Sequence, residues 1–253
     1  MRCLLREFLG HMDLACTFVR RYPRHDTRRL QFQVEDLFAD YIKAPSTPTT
    51  LPPNAPPNVA RFQISDGKRQ LAVSDSAAQL TLNFGAIGQA PLRAAIAKAA
   101  VLMDGLGEIL PKSRYYSGIV LDANFAVSDT KGLYENLSSN ALRNTIEDLI
   151  SLNLSASKNI NDLQYTASVA TFFSMEGKIE TREGGVFHFD PDFMDPSGTG
   201  ILFKYDVNSK PSMNVARHND FIKIWENFEA VLELMSALAG PDISKIARDR
   251  IAL

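Results

Sequence analysis

Two periodicities alternate along the chain. From Val59, Phe62 and Ile64 stand against Arg61, Gln63 and Ser65, Asp66-Gly67 offers a turn in which both residues tolerate positive φ, and Leu71 and Val73 return in RQLAV. QLTLNF repeats the alternation with Leu80, Leu82 and Phe84, so this stretch predicts a three-strand antiparallel meander. Pro91 suits a first helical turn, Leu92, Ile96, Met103, Leu106, Ile109 and Leu110 mark a buried stripe, and Pro111 stops the helix. Residues 115–127 predict a long strand with Ile119, Leu121, Ala123, Phe125 and Val127 on one side and Asp122 and Asn124 on the other, the pattern of a sheet covered on one face.

The order then runs again. Leu137, Leu142, Ile146, Leu149 and Ile150 predict a helix over 133–152, and LQYTASVATFF alternates Leu163, Tyr165, Ala167, Val169, Thr171 and Phe173. Glu176-Gly177 and Gly184-Gly185 offer turns around KIETRE and VFHFD, and ILFKYDV is expected to pair with the strand before it. Phe221, Ile224, Trp225, Phe228, Val231, Leu232, Met235 and Leu238 form one stripe between an Asn219-Asp220 start and a Gly240-Pro241 stop. A short basic helix, DISKIARDR, is expected near residue 250.

These elements predict an α+β fold in which long amphipathic helices pack on antiparallel sheet, with two similar strand-strand-strand-helix halves over 58–130 and 155–240. The matching element order admits an internal duplication, with no matching residue string to carry it. Residues 1–57 are expected to stand apart as a basic segment and a linker, since six prolines lie between Pro45 and Pro57 and suit neither a helix interior nor a central strand. The main α+β domain is then 58–253.

With 253 residues and 45% hydrophobic content, the chain can build its own core. A formal net charge of −2 argues against a surface devoted to nucleic acid. Cys3 and Cys16 form neither a disulfide framework nor a zinc spacing. Arg6, Glu7, His11 and Asp13 interrupt the first apolar run, and no uncharged apolar stretch is long enough to span a bilayer. A reducing, cytoplasmic location without membrane contact is the expectation.

Two segments are candidates for chemistry. RRYPRHDTRR places Arg20, Arg21, Arg24, Arg28 and Arg29 against a single aspartate, which reads as a solvated connector or as a patch for an acidic partner or a nucleic-acid backbone. In HFDPDFMD, period-two alternation places His188 and Asp190 on one face with Asp192 beyond Pro191, a donor set suited to a hard or borderline divalent ion, although Asp-Pro pairs are also ordinary loop chemistry. His11, His25, His188 and His218 are scattered, no nucleophile elbow accompanies them, and Gly85-Ala-Ile-Gly88 lacks the glycines and lysine of a nucleotide loop. The residues call for no cofactor. Paired aromatics at Tyr115-Tyr116 and Phe172-Phe173 put one ring on each side of a strand, so part of the second sheet face should also be covered.

The run ARFQISDGKRQLAVSDSAAQLTLNF, followed by a helix and then YYSGIVLDANF, resembles a sporadically distributed family of uncharacterised bacterial α+β proteins. In that family an R-F-x-x-x-D-G-x-x hairpin precedes a helix and a long strand, and a late strand like ILFKYDV leads to a helix like FIKIWENFEAVLEL. The similarity covers about residues 58–240 and rests on hairpin and core positions, and the family's arginine- and asparagine-rich long-strand signature reads Leu121-Asp-Ala-Asn124 in this chain. The resemblance implies a bacterial or phage cytosolic protein and transfers no catalytic residue.

The leading expectation is therefore a non-enzymatic protein that holds another polypeptide, a different chain or a second copy of itself, in an accessory, antitoxin, immunity or chaperone-like role. A metal-dependent hydrolase or nuclease centred on His188, Asp190 and Asp192 is the first alternative. A nucleic-acid binder using the arginine run is the second.

Overall fold

The computed structural model describes residues 9–52, 54–86, 92–110, 116–127, 153–160, 162–176, 179–182, 186–189, 195–210, 220–227 and 230. Its strands are β1 (Leu9–Arg21), β2 (Ser46–Pro48), β3 (Ala60–Ser65), β4 (Arg69–Ser74), β5 (Ala77–Ala86), β6 (Tyr116–Val127), β7 (Asn153–Ile160), β8 (Leu163–Glu176), β9 (Ile179–Arg182), β10 (Val186–Phe189) and β11 (Asp195–Asn208). Its described helices are α1 (Gln31–Phe38), α2 (Leu92–Ile109) and α3 (Asp220–Glu226), with a 3-10 turn at Arg28–Leu30. The expected helix over 133–152, the terminal stripe beyond residue 230 and the segment DISKIARDR lie outside the described residues.

Nine strands form a single antiparallel sheet in the order β2-β3-β4-β5-β1-β6-β11-β8-β7, and β9 and β10 form a separate hairpin. This corrects the expected fold class. The sheet dominates, the described helices are few and short beside it, and the two strand-strand-strand-helix halves give way to one continuous sheet. The reason is β1: it pairs with β5 on one side and β6 on the other, fusing the meanders across the centre. ILFKYDV also finds partners other than the preceding strand, since β11 lies between β6 and β8.

Local chemistry explains the individual strands. Gly67 takes φ 85° in the β3–β4 turn, while the Asp66 side chain accepts hydrogen bonds from the backbone N–H groups of Lys68 (3.0 Å) and Arg69 (2.8 Å). Alternation then sends Leu14, Cys16 and Phe18 of β1 to the same face as Leu80 and Leu82 of β5, Ile119 and Leu121 of β6, Phe203 and Tyr205 of β11, and Ala167 and Val169 of β8. All of these are buried, and each large apolar side chain removed from water contributes about 1.5–3 kcal/mol. The helices pack on this face: α2 meets β1 and β5, α1, which buries Val34 and Phe38, packs on α2, and α3 meets β6 and α2.

One buried ion pair ties the layers together. Arg20, at the end of β1, points inward and places its guanidinium 3.3 Å from Asp104 of α2 and 5.0 Å from the ring centroid of Phe221 in α3. The two Asp104 oxygens also accept the backbone N–H groups of Phe221 and Ile222 at 3.1 Å each, so a carboxylate of one helix satisfies the first amides of another. A second anchor holds the chain after β1. Tyr22 donates its hydroxyl to the Ser74 carbonyl (2.7 Å), Thr27 and Arg61 both bond the Asp75 carboxylate, and Arg61 reaches the carbonyls of Ala55 and Pro56. Burial alone would raise the Asp75 carboxyl, but the bonds and charge of Arg61, with Thr27, outweigh it and hold it below 3.8. The proline-rich stretch is thereby pinned to the β4–β5 turn, and its residues Ser46–Pro48 join the sheet edge as β2.

Replacing Asp104 with alanine leaves the Arg20 charge buried without this carboxylate and removes the two bonds at the start of α3. Stability should fall by about 3–5 kcal/mol in urea unfolding. A loss below about 1 kcal/mol would show that the pair is not an organising contact.

Candidate functional site

The described helices cover one face of the sheet, and the opposite face carries hydroxyl, amide and charged side chains with a few apolar ones among them. Thr17 and Val19 of β1, Gln79, Thr81 and Asn83 of β5, Val120, Asp122 and Asn124 of β6, Leu202, Lys204 and Asp206 of β11, Thr166, Ser168 and Ala170 of β8, and Ser155 and Ser157 of β7 are all half-buried or exposed. Register brings a charged group to the middle of this face. Asp122 and Lys204 are direct cross-strand partners with their charges 3.8 Å apart, and Asp206 lies one pleat further along β11. Burial raises the Asp122 carboxyl above its ordinary 3.8, the neighbouring Asp206 charge pushes the same way, and Lys204 opposes both.

Towards one rim the face becomes more tightly built. Asn208 is buried, donates to Asp206 Oδ1 (3.0 Å) and accepts the backbone N–H of Lys210 (3.1 Å). It rests against Gly118 of β6, where an added Cβ would lie 2.9 Å from the Asn208 Cβ, so only glycine leaves room for it. Next to Gly118 along the face, Tyr116 lies half-buried with the Arg21 guanidinium 5.8 Å and the Lys210 ammonium 5.5 Å from its ring centroid. Tyr116 thus occupies the second face, as expected of a paired aromatic, and two cations lie over its ring. The position of Tyr115 is outside the described residues.

The five arginines of the run divide. Arg20 is buried in the ion pair with Asp104, Arg21 stands on the face opposite the described helices, and Arg24, Arg28 and Arg29 are exposed, with Arg29 lying 3.4 Å from Asp26. Backbone bonds from Tyr22 to Ser76 (3.1 Å) and from His25 to Asp75 (2.8 Å) keep this run beside the β4–β5 turn. His188 lies in β10 opposite Glu180, on the hairpin outside the main sheet. Asp190 and Asp192 are outside the described residues. Among the described residues no group of three or more His, Cys, Asp or Glu side chains is gathered to hold a metal ion, and no helix is long and apolar enough to cross a membrane. Cys16 is a free thiol, fully buried, and burial pushes its pKa far above its ordinary value, followed by the Asp122 charge, so it is protonated and unreactive.

The alternation in the sequence placed Asp122 and Asn124 on the polar side of their strand but did not unite them with Lys204 and Asp206. Tyr116, Gly118, Asn208 and Lys210 went unnoticed as a group, and the paired tyrosines were the one local signal. No protein-family model, no curated protein and no solved structure matches the chain. The resemblance drawn from the hairpin and core residues therefore stands on those residues alone.

The raised Asp122 pKa sets a sign. Between the unfolded value and the raised folded value, the folded state holds a proton that the unfolded state has lost, so stability falls as pH rises through that window. Asp122→Asn removes this titration. Its stability relative to wild type should increase from about pH 4 upward and then level off, as read by urea unfolding at a series of pH values. A difference independent of pH would contradict the assignment.

Proposed function

We propose that this is a non-enzymatic binding protein that holds another polypeptide, taking it along the β7 edge and against the open polar face. The observation that carries the reading is the contrast between the two sheet edges. β2 is three residues long and ends in Pro48, which has no N–H to offer an added strand. β7 has eight residues, NLSASKNI, contains no proline and a single charged side chain, and pairs with β8 alone among the described residues. An edge of this kind supplies a row of backbone donors and acceptors for strand addition, and alternate side chains of the incoming segment can be read by the face beside it.

The neighbouring surface supports the same reading. Its hydroxyl and amide side chains can bond a polypeptide backbone, and Ser157 and Thr166 already bond each other across β7–β8 at 2.8 Å. The bound polypeptide is a different chain or a second copy of this one, in an accessory, antitoxin, immunity or chaperone-like role. A cytoplasmic setting belongs to this proposal, and the buried thiol of Cys16 is compatible with a reducing compartment.

In an antiparallel ladder, neighbouring residues turn their backbone groups alternately toward and away from the partner strand. Of the variants Ser155→Pro and Ala156→Pro, one therefore removes an outward N–H and the other breaks the β7–β8 ladder. Native mass spectrometry of protein purified gently from its host should show a second polypeptide on the 28.0 kDa chain. The outward-facing proline variant should keep the wild-type melting temperature and lose that mass. A bare monomer, or a folded proline variant that retains its partner, would count against the proposal.

A further inference from the structure

The rim at the ends of β1 and β11 and the start of β6 has the makings of a separate recognition site. Arg21 and Tyr116 are direct partners in the β1–β6 ladder, and Lys210 reaches the same ring from the far side of β6. The backbone that presents Lys210 is fixed: Ser209 donates its N–H to the Ser117 carbonyl (2.8 Å), its hydroxyl accepts the Ser117 N–H (2.9 Å), and Asn208 holds the Lys210 N–H. Both cationic heads remain exposed. Each ring contact contributes only about 0.5–1 kcal/mol at such a site, enough to orient a charge without consuming its hydrogen-bonding capacity. Two cations drawn to one ring also repel each other, and a bound anion relieves that repulsion.

Charge along the face narrows the class of anion. Arg24 follows Arg21 beside the β4–β5 turn and Arg28 and Arg29 lead on into α1, whereas the middle of the face carries Asp122 and Asp206 around Lys204. Along β6, Tyr116 is four positions from Val120, the partner of Asp206, and six from Asp122, about 13 and 20 Å at strand spacing, both beyond the Debye length of about 8 Å at physiological salt. The two patches therefore act separately. A uniform polyanion crossing the face would meet the two aspartates, while a polypeptide with a local acidic segment would match both regions. Lys210 at the end of β11 lies two strand spacings from the β7 edge, about 10 Å, which three or four extended residues cover.

We infer that Arg21, Tyr116 and Lys210 form a carboxylate-recognition site for an acidic segment of the bound polypeptide, an inference that rests on the polypeptide-binding reading above. The test uses fluorescence anisotropy with three labelled probes: a Glu-Ser repeat peptide, its Gln-Ser counterpart and a single-stranded oligodeoxynucleotide of equal charge. The Glu-Ser peptide should bind, should weaken as salt is raised, and should lose about tenfold or more in affinity in the Arg21→Ala/Lys210→Ala double variant. That variant should stay folded and lose no more than the about 1–2 kcal/mol of its two ring contacts, read by urea unfolding. Equal binding of the Glu-Ser and Gln-Ser peptides, unaffected by the double variant, would overturn the carboxylate site and leave polypeptide binding standing. Preference for the oligonucleotide, or no binding of either peptide, would overturn both.

Discussion

The architecture depends on one strand placed between two others. β1 is the first described strand and the central member of the sheet, bonded to β5 along one edge and β6 along the other. Neither meander could otherwise reach the other. The apolar side of β1 supplies Leu14, Cys16 and Phe18 to the core, and its last inward residue, Arg20, carries the charge that draws α2 and α3 together through Asp104. A buried arginine is a weak source of stability in itself, because desolvation offsets much of its attraction to a carboxylate. Its value in this fold is geometric, since one carboxylate joins a strand and two helices that are remote in sequence.

That arrangement leaves the sheet with two unlike faces. Among the described residues, helices and apolar side chains occupy one, and the other presents hydroxyl, amide and a few charged groups between β2, which ends in Pro48, and β7, which pairs with β8 alone. The charged groups owe their positions to register. Asp122 meets Lys204 because β6 and β11 pair as they do, and Tyr116 meets Arg21 because β1 ends where β6 begins. Under the polypeptide-binding proposal, a face whose side chains are set by strand register lowers the ordering cost of receiving a flexible segment.

Much of the local structure was legible in the residues. Asp66-Gly67 announced the β3–β4 turn, and the alternation in β6 and β8 put Ile119, Leu121, Ala123, Tyr165, Ala167 and Val169 on the side that is buried. β1 was missed because Arg20 stands where an apolar residue would complete the period, and its neighbour Arg21 made the pair look like the start of a basic connector. β7 was missed because an edge strand of serine and asparagine has little apolar alternation. The order of strands was illegible for a different reason: periodicity reports which face a residue takes, and says nothing about which distant strand lies beside it. The rim site suffered most, since Arg21, Tyr116 and Lys210 belong to three strands or strand ends that only the pairing of β1, β6 and β11 brings together.

Hydrogen–deuterium exchange resolved by residue tests most directly whether β1 is the strand on which the sheet depends. Amides of β1 that bond to β5 and β6 should exchange only when the whole protein unfolds, with the free energy of global unfolding, while the outward amides of β7 should exchange soonest of the sheet. If β1 exchanges as readily as β7 while β6 and β11 stay protected, the sheet holds together without its central strand, and β1 is not what unites the two meanders.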